Sequence, residues 1–133
     1  MVRVTCPEET LALGEALGRE LKPPRVVALF GDLGAGKTVL AKGIVAGATG
    51  LSPYEVTSPT FTYLQVYPGV AHFDLYRLEG PDGFLERGFE EILEEGIVVI
   101  EWAERIESLL PADALRITLR HLGGEEREIV YEP

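Results

Sequence analysis

A glycine-rich stretch from Gly31 to Thr38 constrains this sequence more than any other segment. It reads G-D-L-G-A-G-K-T and fits G-x-x-x-x-G-K-[ST], the phosphate-binding loop, at every fixed position. Glycine tolerates positive φ, so such a loop can turn its backbone N–H groups inward, and that ring of donors suits polyphosphate oxygens. The stretch therefore predicts a phosphate site formed by eight residues: Gly31, Asp32, Leu33, Gly34, Ala35, Gly36, Lys37 and Thr38.

Two side chains add specific chemistry to this loop. We expect Lys37 to place a positive charge at the β- and γ-phosphates and so to take part in catalysis, and the Thr38 hydroxyl to ligate Mg²⁺. Residues 26–30 form an apolar run of strand length before the loop, and apolar residues recur at helical spacing up to Gly50. Strand, glycine loop and helix are the setting that the motif requires, with the positive end of the helix dipole aimed at the anion.

The remaining segments predict the fold class. A short strand at 2–4 precedes a helix, for which Thr5 and Glu8 fit a capping box. Hairpins are predicted from 61–76 and 115–131, one or two short acidic helices within 81–95, a strand buried on both faces at 97–100, and a helix over 102–110. The sequence thus predicts one P-loop NTPase domain over 1–133, a three-layer α/β sandwich whose largely parallel central sheet carries antiparallel hairpins.

Hydrolysis also needs acidic residues at strand ends, and two candidates stand out. Glu101 follows four apolar residues, and Asp74 ends a half-buried strand; both should lie at carboxyl strand ends, where open α/β sheets bind ligands. We predict Glu101 as the carboxylate on the metal side and Asp74 as the catalytic residue that orients water, although the two roles could be exchanged. His72 is predicted to be a strand residue with a satisfied ring, while Trp102 is either core packing or a lid beside the metal site.

The composition indicates which kinds of binding partner and which cellular compartment to expect for this chain. The chain has 12 Lys and Arg against 22 Asp and Glu, a net charge of −10, so it should repel nucleic acid by itself. It has no apolar run long enough to span a membrane and no secretory signal, and its single cysteine, Cys6, cannot form an internal disulfide. These features predict a cytoplasmic protein that reaches any RNA through a partner.

The nucleotide is predicted by elimination. Guanine-specific P-loop proteins usually carry an N-K-x-D loop, and this chain contains no asparagine. ATP is therefore favoured over GTP. The turn-rich segment 51–60 follows the P-loop helix, where Thr57, Ser58 or Thr60 could sense the γ-phosphate, or where the chain could simply connect two elements.

Four motifs together resemble one family. The P-loop, then S-P-T-F at 58–61, H-F-D-L-Y-R at 72–77 and Glu101-Trp102 resemble the TsaE (YjeE) family in order and spacing over essentially the whole chain. The resemblance implies a small bacterial cytoplasmic ATPase that supports threonylcarbamoyl addition to the adenosine beside the tRNA anticodon, together with TsaB and TsaD. It implies that Thr38 and Glu101 lie at Mg²⁺, that Asp74 serves ATP hydrolysis, and that 58–60 acts as a switch loop.

Two other functions remain open at this point. A small-molecule kinase also carries a P-loop, but it normally adds an Arg-rich lid, and no such cluster follows the loop here. A binding module could hold ATP without needing to hydrolyse it. Measuring ATP consumption with and without candidate acceptors tests the kinase alternative. The phenotype of Asp74→Ala tests the binding-module alternative.

Overall fold

The fold is built on one sheet in a computed structural model that describes residues 1–32, 34–59 and 61–132. Its described strands are β1 (Val2–Val4), β2 (Arg25–Phe30), β3 (Leu64–Tyr67), β4 (Val70–Asp74), β5 (Ile97–Glu101), β6 (Leu115–Gly123) and β7 (Glu126–Glu132). The described α-helices are α1 (Pro7–Glu20), α2 (Lys37–Thr49) and α3 (Pro81–Glu86), and 3₁₀ segments cover Pro53–Glu55, Phe89–Glu94 and Ala103–Leu109.

The strand order is β1-β7-β6-β2-β5-β4-β3. The four strands β6, β2, β5 and β4 run parallel to one another, and antiparallel pairs extend the sheet at both edges. The register pairs Leu29 and Asp74 with Glu101 from either side, so the carboxyl ends of β2, β4 and β5 lie together. The predicted parallel sheet with antiparallel hairpins is confirmed.

Helices cover both faces of the sheet, which makes three layers. Alternate residues of the central strands enter two separate cores: Val27 and Val99 pack toward α1 and α2, and Val98 and Ile100 pack with Phe84 of α3 on the other face. Every residue of β5 is buried, as expected for a strand covered on both faces. Packing on both faces of β5 thus fixes the position of Glu101 at the carboxyl end of the strand.

Helices α1 and α2 approach so closely that side chains are excluded at their crossing. A Cβ on Gly18 would lie 2.2 Å from the Ile44 carbonyl oxygen, and one on Gly47 would lie 2.1 Å from that of Glu15. Because backbone atoms cannot move aside without separating the helices, glycine is required there. This contact holds α2, and therefore the loop that precedes it, against the sheet.

Three local predictions were wrong in detail. Helix α1 begins one residue later than the predicted capping box, with Cys6 as N-cap, because Pro7 has its φ fixed for the first helical position. Glu9, rather than Glu8, accepts the hydrogen bonds: its Oε1 lies 2.6 Å from the Thr5 backbone N and 2.5 Å from the Thr5 Oγ1. Strand β3 begins only at Leu64. The helix predicted at 102–110 is a 3₁₀ segment interrupted at Ile106.

None of the described helices is long and apolar enough to cross a membrane.

Candidate functional site

The loop between β2 and α2 has the backbone shape that the motif predicts. Gly31, Gly34 and Gly36 have φ of 137°, 82° and 98°, values that side-chain-bearing residues rarely adopt, and α2 begins at Lys37. The Ala35 N–H donates to the Asp32 carbonyl at 3.1 Å, which closes the turn. Leu33, predicted as a loop contact, lies outside the described residues. The loop therefore meets the positive end of a 13-residue helix.

Lys37 is folded back into the loop and is almost fully buried. Its Nζ donates to the carbonyl oxygens of Gly31 and, at 2.8 Å, of Asp32, and it lies 3.9 Å from the centroid of the Trp102 ring. Burial lowers the pKa of Lys37, and the nearby carboxylates of Glu104 and Glu101 oppose that shift. The partners of the Lys37 ammonium are thus two carbonyl oxygens and one aromatic ring, and none of the three is charged. These are weak partners that a ligand could replace.

A chain of two hydrogen bonds, exposed at Thr38 and buried at His72, joins the loop helix to β5 and β4. The Thr38 Oγ1 donates to Glu101 Oε1 at 2.7 Å, and Glu101 Oε2 lies 2.7 Å from His72 Nε2. Glu101 and His72 are 1% and 0% exposed, so both side chains are buried. The predicted pair Thr38 and Glu101 is therefore brought together, although the residues are 63 positions apart.

Asp74 stands beside Glu101, one strand further along the sheet. Its Oδ1 accepts from the Tyr76 N–H at 3.1 Å, and its own N–H donates to the Tyr63 carbonyl at 2.9 Å. Burial raises the pKa of Asp74; the Tyr76 N–H lowers it, and the Glu101 carboxylate raises it further. The structure thus places a buried acid with a perturbed pKa next to the Thr38–Glu101 pair, which is typical of functional sites.

The oxygen donors at this point fit Mg²⁺. A hydroxyl and a carboxylate are hard ligands, and Mg²⁺ in such sites keeps several waters and takes phosphate oxygens rather than a full protein cage. The described residues contain no cluster of three or more His, Cys, Asp and Glu able to hold an ion by themselves. Thr38 and Glu101 would then supply the protein's share of a shell completed by nucleotide and water.

A cavity of about 280 Å³ extends from the loop toward α1 and the last hairpin. Beyond the predicted residues, it is lined by Pro7, Thr10, Val39, Glu125 and Arg127. The Arg127 Nη2 donates to the Gly34 carbonyl at 3.1 Å, which ties β7 to the tip of the loop. Local motifs do not reveal these residues, because only the sheet topology brings 125–127 to the loop.

Trp102 lies beside the site, within the two alternatives that its sequence position left open, whereas the His72 ring differs from its prediction. Trp102 has φ 60°, lies against the Lys37 Nζ and packs beside the site, where it is only partly buried. Its ring centroid lies 4.9 Å from that of Tyr76, with the two rings tilted by 49°. The His72 ring was predicted to be satisfied, but its buried Nδ1 has no hydrogen-bond partner among the described residues.

The segment proposed to sense phosphate is only partly described. The Thr57 N–H donates to the Tyr67 hydroxyl at 3.0 Å, and the buried Pro59 accepts from the Tyr63 N–H through its carbonyl. Tyr54 and Phe61, on either side of this stretch, are 97% and 78% exposed. Thr60, one of the predicted sensors, lies outside the described residues.

The fold and the loop define a protein of the P-loop class. A search of solved structures agrees: the crystal structure of Bacillus subtilis YdiB superposes with a TM-score of 0.75 at 36% identity, covering 98% of this chain and 82% of that one.

Sequence comparison then gives the family. The family described as threonylcarbamoyl adenosine biosynthesis protein TsaE matches residues 4–129. The tRNA threonylcarbamoyladenosine biosynthesis protein TsaE of Treponema pallidum is 43% identical over 126 residues, covering 92% of each chain. The protein of that name from Bacillus subtilis is 40% identical, covering 97% of this chain and 82% of its own length. The chain belongs to the TsaE family, which is involved in tRNA threonylcarbamoyladenosine biosynthesis.

The raised pKa of Asp74 predicts a pH-dependent cost to stability. A carboxyl whose pKa is higher in the folded than in the unfolded state favours folding at low pH and loses that contribution as the pH rises through the folded value. Asp74→Asn keeps an oxygen for the Tyr76 N–H but cannot ionise. We expect it to raise the free energy of unfolding at pH 7, with an advantage that shrinks toward pH 3, in urea melts with EDTA and no nucleotide.

The exposed Asp113 offers a matched control. Asp113→Asn should change stability little at either pH. An Asp74→Asn variant that is less stable than the parent at pH 7 would contradict the burial account of this carboxyl.

Proposed function

We propose that this protein binds ATP and Mg²⁺ at the loop, hydrolyses ATP slowly, and uses that cycle to support threonylcarbamoyl modification of tRNA adenosine. The observation that carries the proposal is the meeting of Lys37, Thr38 and Glu101 around one glycine loop at the carboxyl ends of three parallel strands. Open α/β sheets bind ligands at this edge, and membership of the TsaE family supplies the biological setting.

Binding rests on the loop amides and Lys37. The start of α2, where no side chain caps the first backbone N–H groups, offers donors to phosphate oxygens. Phosphates arriving at the loop would compete with the Gly31 and Asp32 carbonyls for the Lys37 ammonium. A phosphate oxygen carries a formal charge and a carbonyl does not, so the exchange favours the nucleotide.

Metal binding and catalysis are divided between two carboxylates. Bound Mg²⁺ would neutralise charge that develops on the phosphates, with Thr38 and Glu101 as its protein ligands, directly or through water. Asp74 lies beside them and would orient the attacking water. Its raised pKa brings it closer to the range in which a carboxylate can accept a proton near neutral pH.

The remaining part of the cavity would take the nucleoside. Pro7, Thr10 and Arg127 also line the cavity and combine an apolar surface, a hydroxyl and a guanidinium. The absence of asparagine, and so of the guanine-reading loop, favours adenine.

The partners are proposed to be TsaB and TsaD, with tRNA reached only through them, in the cytoplasm. A net charge of −10 opposes direct tRNA binding. Nucleotide can control docking only if the ATP and ADP states differ in affinity for the partner. The exposed Tyr54 and Phe61, which flank the segment proposed to sense phosphate, offer a surface that such a change would reach.

Substitution of the two carboxylates should separate metal binding from catalysis. Glu101→Gln should abolish most of the gain in ADP affinity that Mg²⁺ gives, because an amide oxygen is a far weaker ligand for the ion. Asp74→Asn should leave that gain in place but slow ATP hydrolysis by about 10²–10⁴-fold. Calorimetry with and without Mg²⁺ and a phosphate-release assay measure the two effects.

If Asp74→Asn lost the Mg²⁺ effect and Glu101→Gln lost only hydrolysis, the roles would be exchanged. If neither variant altered hydrolysis or metal dependence, the assignment would be wrong. Full tRNA modification by a variant without hydrolysis would favour the ATP-binding module over the ATPase.

The partner proposal predicts nucleotide-dependent docking. Affinity for a purified TsaB–TsaD complex should differ by about 5–150-fold between the ATP-bound and ADP-bound protein, the usual range of coupling between two sites. Biolayer interferometry with ATP, ADP and no nucleotide measures this difference. Equal affinity in all three conditions would remove nucleotide gating from the proposal while leaving ATP binding untouched.

A further inference from the structure

A histidine that the mechanism above does not use is buried against its key carboxylate. His72 is 0% exposed, and its Nε2 lies 2.7 Å from Glu101 Oε2. The other carboxylate oxygen, Oε1, accepts from the Thr38 hydroxyl at 2.7 Å. Both oxygens of Glu101 are therefore held, one by the loop helix and one by β4.

We assign the ring hydrogen of His72 to Nε2 from its partners. A carboxylate only accepts hydrogen bonds, so His72 donates from Nε2. Its Nδ1 has no partner among the described residues, and a bare ring nitrogen is the form that avoids a buried N–H without an acceptor. Among the described residues, the ring thus makes one hydrogen bond, the one to Glu101.

Packing alone does not account for this residue. The neighbouring β4 positions 70, 71 and 73 are apolar and buried, and an apolar side chain at 72 would carry no unsatisfied nitrogen into the core. A histidine at this position lowers the stability of the fold, because its Nδ1 is buried without a hydrogen-bond partner among the described residues. What it supplies in return is a donor for Glu101 Oε2, which would otherwise be a buried carboxylate oxygen without a partner.

We propose that His72 is a positioning residue, which holds Glu101 with Oε1 facing Thr38 and the metal side of the site. This inference rests on the proposed function, since it concerns the orientation of the carboxylate assigned to Mg²⁺. Histidine and carboxylate partners behind a ligand typically change metal affinity by about 10–100-fold when they are removed. His72 touches neither nucleotide nor metal; it acts through Glu101.

The test is Mn²⁺ binding in the presence of saturating ADP, measured by electron paramagnetic resonance, which needs no turnover. His72→Phe keeps a ring without a donor and should weaken Mn²⁺ binding by about 10–100-fold. His72→Gln can place its amide nitrogen near the Nε2 position and should restore most of the affinity. His72→Asn is too short to reach Oε2 and should behave like His72→Phe, which provides a second deficient variant if the first does not fold.

Phe73→Leu is the matched control, because Phe73 is equally buried on the same strand but belongs to the core on the opposite face. It should lower thermal stability without changing Mn²⁺ affinity. Equal Mn²⁺ affinity in the parent protein, His72→Asn and His72→Phe would overturn the positioning role alone. Failure of the parent protein to bind Mn²⁺ with ADP would overturn the proposed metal site, and with it the role of His72.

Discussion

The hydrogen bond between Thr38 and Glu101 is the constraint on which the site depends. It connects the first turn of α2 with the last residue of β5, at 2.7 Å between the exposed Thr38 and the buried Glu101. The bond can form only if β2, which leads into the loop, and β5 are parallel neighbours in the correct register, as the pairing of Leu29 with Glu101 shows. The close contacts at Gly18 and Gly47, where α1 crosses α2, hold α2 at a point away from this bond.

The site concentrates polar groups that the rest of the fold excludes from its interior. Among the described residues, the buried polar and charged ones are Thr10, Lys37, His72, Asp74 and Glu101. Four of these five surround the loop and the strand ends, and Thr10 lines the adjoining cavity. Burial shifts the pKa of Lys37 down and that of Asp74 up, so each charge is held at a cost. Such a cost is expected where function, rather than stability, determines the residue.

The central fold was predictable because it follows from short-range patterns. The loop motif fixed a strand and a helix on either side, and the apolar run 97–100 indicated a strand buried on both faces, which the structure bears out. Local ends were less predictable. Helix α1 begins at Pro7, after the expected capping box. The chain after Trp102 forms a kinked 3₁₀ segment, in which Trp102 and Ile106 have non-helical backbone angles.

The outer parts of the site were not predictable in the same way. Arg127 reaches the Gly34 carbonyl across 93 residues, and His72 meets Glu101 across 29, through strand order alone. A single histidine within a strand gives no local indication of what it faces. Asp74 and Glu101 were predictable as candidates, since both end strands; their nearness to each other came from the parallel register.

Calorimetric titration of Mg-ATP into the protein and into two lysine variants tests the central claim most directly. Lys37 and Lys42 lie on the same helix, but only Lys37 contacts the loop carbonyls. The account predicts that the parent protein and Lys42→Ala bind with similar affinity and that Lys37→Ala loses most of the binding. No heat at millimolar nucleotide, or equal binding by Lys37→Ala, would contradict the claim that this loop holds the phosphates.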